Sequence, residues 1–142
     1  MIKAMHHSGF VVADLDKATS FYRDVVGLKV LDTRERTGTA ISQVVGYENC
    51  HIKAVDVGTG DGHRLELIQY VNPPARDRQS EERSMIGSSH LCLHVDDIDA
   101  TFNRLVENGA KKMNPPAELA PGRWACYLQD PDGNWIELLE LQ

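Results

Sequence analysis

One stretch of this chain occurs twice. H-S-G-F-V-V-A-D-L-D-K-A, starting at His7, aligns without a gap with H-L-C-L-H-V-D-D-I-D-A-T, starting at His90. The offset stays at 83 residues through Val12 and Val95, Asp14 and Asp97, Leu15 and Ile98, and Asp16 and Asp99. One residue is then lost before the matching glycines, Gly27 and Gly109. Each copy closes on an apolar-Glu-Leu triplet, Leu65-Glu66-Leu67 and Ile136-Glu137-Leu138. A repeat this long means one supersecondary unit used twice, so the chain must fold as two copies of a single module.

The module reads as strand, helix and three strands. Phe10–Val12 is a short β-rich run, and Asp14-Leu15-Asp16 supplies caps for a helix from about Lys17 to Val26. Gly27 stands where a left-handed residue ends such a helix. Strands are expected over Leu28–Thr33, Ile41–Val45 (the weakest), Ile52–Val57 and Arg64–Tyr70, with Gly58–Gly62 as a hairpin loop between the last two. That glycine-rich loop lacks the following helix that a phosphate cradle needs. In the second copy the strand is His90–Val95 and the helix runs from about Ala100 to Glu107, ended by Asn108-Gly109. An extended Lys111–Asn114, a loop over Pro115–Gly122 and strands at Arg123–Gln129 and Trp135–Leu141 follow. Asp130-Pro131-Asp132-Gly133 is strong turn chemistry before the last strand. The expected domains are therefore a first βαβββ module over 1–72, a polar linker over 73–87 and a second βαβββ module over 88–142, together an α+β fold. In that polar linker the arginines read first as solvated surface, and second as a clamp for an anionic substrate.

Composition narrows the partners. The net charge is −6 and no Lys/Arg run could neutralise a row of phosphates, which excludes nucleic acid. No apolar run approaches the ~20 residues that span a bilayer, and Met1–His7 lacks the apolar core of a signal peptide. Cys50, Cys92 and Cys126 are widely spaced and odd in number, which reads as reduced thiols and a cytoplasmic setting rather than a zinc-thiolate site.

The repeat singles out four residues. His7 and His90 open the two modules, and Glu66 and Glu137 close them. Two copies packed about a pseudo-twofold axis bring equivalent residues to equivalent distances from it. Where first and last strands are central in each curved sheet, two imidazoles and two carboxylates converge as a hard-to-borderline metal site with two octahedral positions left for water or substrate. Taken singly, a strand glutamate between apolar residues is more often solvent-facing. His6 is expected on the face opposite His7, outside the repeat; His94 shares the face of His90 and Cys92 and reads as a pocket residue.

These motifs, H-H-S-G-F-V-V-A-D-L-D-K-A-T-S-F-Y-R-D-V-V-G-L, L-E-L at 65–67, H-L-C-L-H-V-D-D-I-D-A from 90 and D-P-D-G-N-W-I-E-L from 130, cover nearly the whole chain. In their order and spacing they resemble the vicinal oxygen chelate superfamily, which contains glyoxalase I, methylmalonyl-CoA epimerase, extradiol dioxygenases and the fosfomycin and bleomycin resistance proteins. The resemblance implies paired βαβββ modules cupped around one divalent metal ion (Ni, Co, Zn, Mn or Fe) held by His7, Glu66, His90 and Glu137. The His-Glu-His-Glu set is most similar to bacterial-type glyoxalase I. Methylmalonyl-CoA epimerases usually carry Gln where this chain has Glu66, extradiol dioxygenases use two His and one Glu, and bleomycin-binding members lack the ligands. After L-E-L the chain departs from glyoxalase I, with Ile68-Gln69-Tyr70-Val71-Asn72-Pro73 and a long polar connection that offers no set of glutathione contacts.

The implied activity is that of a lyase or isomerase of the glyoxalase I or epimerase type. The metal would polarise a carbonyl of a small substrate with neighbouring oxygens, and Glu137 or Glu66 would take the proton from the adjacent carbon, Glu137 being the preferred base. Arg123 and His94 are the candidate substrate contacts. The alternatives are a non-catalytic small-molecule binding or resistance protein, and an Fe(II) extradiol-type dioxygenase. The expected macromolecular partner is a second copy of the chain, with modules pairing either within one chain or across the homodimer.

Overall fold

The helix that follows the first strand begins at an aspartate in both copies, and for the same reason. Asp14 has extended backbone angles and its carboxylate accepts a hydrogen bond from the backbone N–H of Lys17; Asp97 does the same for Ala100. Each cap satisfies one of the N–H groups a helix start leaves unpaired. A second such group is met by the module's last strand. Gln69 Oε1 accepts from the N–H of Leu15 at 3.0 Å, and Glu140 Oε2 from the N–H of Ile98 at 2.8 Å. Gln69 and Glu140 each lie three residues beyond the paired glutamates, so the repeat extends to a side chain that ties helix to strand.

The computed structural model describes Met1–Gln142 and divides into two compact units, Met1–Asp77 and Arg78–Gln142. In the first, β1 (Ser8–Val11) leads to α1 (Leu15–Ser20), which widens into a π-helical segment, Phe21–Val26. It is followed by β2 (Lys29–Thr37), α2 (Thr39–Val45), β3 (His51–Gly58) and β4 (Leu65–Asn72). The second unit holds β5 (His90–His94), α3 (Ile98–Glu107), β6 (Lys111–Ala120), β7 (Arg123–Gln129) and β8 (Trp135–Leu141). Each unit is one four-stranded sheet, ordered β1-β4-β3-β2 and β5-β8-β7-β6. First and last strands of a module pair in parallel, and the remaining pairs are antiparallel. This is the α+β, two-module architecture that the repeat predicts.

Strand alternation decides what each face carries. In the first unit Phe10, Val55, Val57, Leu65 and Leu67 are buried together with Leu15, Ala18, Phe21 and Tyr22 from the helix. In the second, Cys126, Leu128, Ile136 and Leu138 are buried with Ile98, Phe102 and Leu105. Burying each larger side chain contributes about 1.5–3 kcal/mol. Glu66 and Glu137 sit between these buried residues in sequence, and period two puts them on the opposite face.

Two expectations need correction. Ile41–Val45 is not a strand but part of α2, because Ile41 and Val45 are half-buried at helical spacing and Gly38 and Gly46, both at positive φ, bracket the turn. The Pro115–Gly122 loop is largely strand: β6 runs to Ala120, with register shifts around the prolines. An edge strand tolerates proline where a central one would lose ladder bonds. The boundary between the two units, after Asp77, falls inside the expected 73–87 linker. No helix is long and apolar enough to cross a membrane.

Candidate active site

In the first unit, Glu66 lies on β4 with β1 on one side and β3 on the other. Its cross-strand partners are Gly9 and Asp56, and Asp56 in turn faces Asp32 on β2. Three carboxylates therefore form a row across the sheet. Arg34 bridges the row, reaching Asp32 at 2.6 Å, Asp56 at 2.7 Å and Glu66 Oε1 at 2.6 Å. Arg64 adds a contact to Asp56 at 3.5 Å. The guanidinium beside Asp56 holds that carboxyl below the usual range, and the carboxylates hold Arg34 charged by raising its pKa. The other oxygen of Glu66, Oε2, lies 3.2 Å from His7 Nε2.

The second unit repeats the pair and changes its surroundings. His90 Nε2 is 2.9 Å from Glu137 Oε2, and the Tyr127 hydroxyl donates to the same oxygen at 3.2 Å. Tyr127 stands where Asp56 stands in the first unit, and Cys92 stands where Gly9 does. No Lys or Arg makes a salt bridge to Glu137. Burial, and after it the charge of Glu137, pushes both the Tyr127 hydroxyl and the Cys92 thiol up.

The polar stretch before β5 completes this side. Gln129 Nε2 donates to Glu81, and Arg78 donates to Asn134 Oδ1 at 3.5 Å, so the strap is tied to the Asp130–Asn134 turn. Arg83 then lies 4.4 Å above the Tyr127 ring and 4.6 Å above the Trp135 ring. The turn is itself stiff: Asp130 Oδ1 accepts from the N–H groups of Asp132 and Asn134.

The sequence candidates thus fall into two pairs, His7 with Glu66 and His90 with Glu137. No group of three or more His, Cys, Asp or Glu side chains poised to hold a metal ion occurs in the chain. Each pair suits two adjacent positions on one ion: bonds of about 2.1 Å at right angles need a nitrogen–oxygen spacing of about 3.0 Å, and the observed spacings are 3.2 and 2.9 Å. The imidazoles keep 39% and 44% of their side-chain surface exposed, which leaves both pairs open to a ligand.

His94 and Arg123 are exposed on the face that carries His90, Cys92 and Tyr127, and neither makes a hydrogen bond or ion pair to Glu137. His6 does not alternate away from His7, because β1 starts only at Ser8; the two rings meet edge-on with their Nδ1 atoms 2.8 Å apart. Arg34, Asp56 and Tyr127 escaped the sequence reading, whereas Arg83 is one of the linker arginines read there as solvated surface or as an anion clamp. Asp56 carried one signal, a charge inside the apolar run Ala54-Val55-Asp56-Val57, whereas the others reach the site through space.

The model of the Glyoxalase/Bleomycin resistance protein/Dioxygenase superfamily matches residues 4–138. A 2-epi-5-epi-valiolone epimerase from an Actinomyces species is 29% identical over 97% of this chain and 79% of its own length. A lactoylglutathione lyase from Haemophilus influenzae is 28% identical over 94% of this chain and 90% of its own. Among solved structures, a glyoxalase family protein from Bacillus cereus superposes with a TM-score of 0.90 at 26% identity, covering 99% of this chain and 95% of that one. With the repeat, the two sheets and a family match over nearly its whole length, the chain belongs to the Glyoxalase/Bleomycin resistance protein/Dioxygenase superfamily.

Proposed function

We propose that this protein is a divalent-metal-dependent lyase or isomerase that moves a proton next to a carbonyl, of the glyoxalase I or epimerase type. The observation that carries the reading is the recurrence of one His–Glu pair, at matching positions and near 3 Å, in both units. His7, Glu66, His90 and Glu137 are the residues that would hold the ion. A divalent metal bound there supplies Lewis acidity toward a carbonyl and its neighbouring oxygen. Bringing a first-unit pair to a second-unit pair completes the donor set, and we place the working form as a homodimer.

The two glutamates are set up for different tasks. Both oxygens of Glu66 are engaged, one by Arg34 and one by His7, so it serves as the anchored carboxylate. The Tyr127 hydrogen bond and the His90 ion pair of Glu137 both fall on Oε2. Glu137 is the base, taking the proton from the substrate carbon, with Tyr127 fixing its orientation. In an epimerase Glu66 would return a proton to the opposite face. The relatives' names, an epimerase and a lyase, support a reaction class rather than a substrate.

The test is to make Glu137→Gln and Glu66→Gln separately, measure bound metal, and follow exchange of solvent deuterium into α-hydroxy carbonyls, CoA thioesters and hemithioacetals. Loss of exchange in Glu137→Gln with most metal retained is expected. Full metal and full exchange in both variants would sink the assignment.

A further inference from the structure

We propose that the cavity beside His90 and Tyr127 binds an oxyanion group of the substrate, a carboxylate or a phosphate, with Arg83 as its cation. The cavity holds about 410 Å³ and is lined by residues 82–84 and 88–89 of the strap together with His90, Tyr127 and Trp135. It deepens the function proposed above and rests on that reading for the reacting end of the substrate only.

Arg83 carries the inference. Its guanidinium carbon lies 4.4 Å from the centroid of Tyr127 and 4.6 Å from that of Trp135, in the corner between the two rings. The rings stand at 78° to each other, so the planar guanidinium can lie flat on one at most and turns an edge to the other, which leaves its remaining N–H groups for a ligand. None of those N–H groups meets a protein acceptor, and no carboxylate lies within salt-bridge distance. A planar fork held in place with its donors unspent matches the two oxygens of a carboxylate or phosphate. The one carboxylate on the rim, Glu82, turns Oε1 to its own turn, where it accepts from the Ser84 N–H at 3.4 Å and the Ser84 hydroxyl at 3.1 Å.

A second observation points the same way. Trp135 is 3% exposed, and its buried indole N–H has no acceptor. Buried donors are nearly always paired, so this corner of the molecule has donors in excess. The spacing to the chemistry is short, because the ring that supports Arg83 carries the hydroxyl bonded to Glu137. A substrate whose reacting carbon lies at Glu137 would therefore hold its anionic group about one tyrosine ring away.

The experiment titrates the full-length protein with inorganic phosphate, malonate and neutral malonamide, reading the indole N–H resonances of Trp124 and Trp135 by NMR. Saturable movement of the Trp135 signal by phosphate, malonate or both is expected, with none from malonamide. Which of the two anions saturates tells a phosphoryl group from a carboxylate. Arg83→Met keeps the stem and should weaken anion binding on the order of tenfold or more, while Arg83→Lys recovers part of it. Anion binding unchanged in Arg83→Met, or an equal response to malonamide, overturns the proposal. Metal content of each variant is measured alongside. Anion binding without metal uptake would fail the metal-enzyme reading and leave the pocket standing, whereas metal and deuterium exchange without anion binding would do the reverse.

Discussion

Replacing Arg34 by methionine removes the cation that holds three carboxylates together. Asp56 is 1% exposed and loses its 2.7 Å partner, which for a fully buried pair costs about 3–5 kcal/mol. Two features reduce that figure. Arg34 keeps 21% of its side-chain surface, and Arg64 remains 3.5 Å from Asp56. Against this, Asp32, Asp56 and Glu66 are left as cross-strand like charges, each adjacent pair adding a few tenths of a kcal/mol. The net is a loss of about 2–3 kcal/mol. With a urea m-value of about 2 kcal/mol/M, the midpoint should fall by about 1–1.5 M in a denaturation curve followed by circular dichroism at pH 7. The sign of the pH dependence follows from the depressed Asp56 pKa. A carboxyl whose folded pKa lies below its unfolded value contributes stability above the unfolded value and loses it as pH falls through the folded one. The gap between wild type and Arg34→Met should therefore close below about pH 4. Adding Asp56→Asn to Arg34→Met removes the stranded charge and should recover at least half of the loss. A midpoint shift under about 0.3 M, or a double variant no more stable than Arg34→Met, would show that Asp56 is not held by this guanidinium.

Two further outcomes can be checked with simple mixtures and reagents. If the two pairs meet across a homodimer, inactive Glu66→Gln and Glu137→Gln proteins, unfolded and refolded together, should regain about a quarter of wild-type activity, since half the dimers carry one intact site; pairing within a chain gives no recovery. Iodoacetamide at pH 8 should leave Cys126 untouched, because burial pushes its thiol up to about 11, and should react slowly at exposed Cys92. In Glu137→Gln the Cys92 rate should rise, since the glutamate's charge helps keep that thiol protonated.

Much of the fold was legible because duplication leaves a trace that single strands do not. Asp14 and Asp97 were readable as caps, and Glu66 and Glu137 as twins, from spacing alone. The misread segments share a cause. Ile41–Val45 is short and apolar, a pattern common to strand and helix, and only the positive-φ glycines on either side decided it. Pro115 and Pro116 looked like loop residues because nothing in their neighbourhood told that β6 would be an edge. Around the pairs, sequence showed the ligand candidates but not what surrounds them. Arg34 and Tyr127 owe their places to cross-strand register, and Arg83 to a strap anchored on a turn about 50 residues further along. The environments, unlike the pairs, were not copied by the repeat, so no alignment of one half against the other could have found them.

The sheet order also sets how firmly each half of a pair is held. Glu66 and Glu137 lie on β4 and β8, each laced to neighbours on both sides, whereas β5, which carries His90, is an edge strand, and His7 lies just before β1, the edge strand of the other sheet. Edge strands open at lower free energy than the strands inside them, since only one ladder has to be broken. Amide hydrogen exchange should accordingly be faster along β1 and β5 than along β4 and β8. The histidines are the hem of each sheet and the glutamates its seam, so the imidazoles ride on the segments that open first while the carboxylates stay fixed.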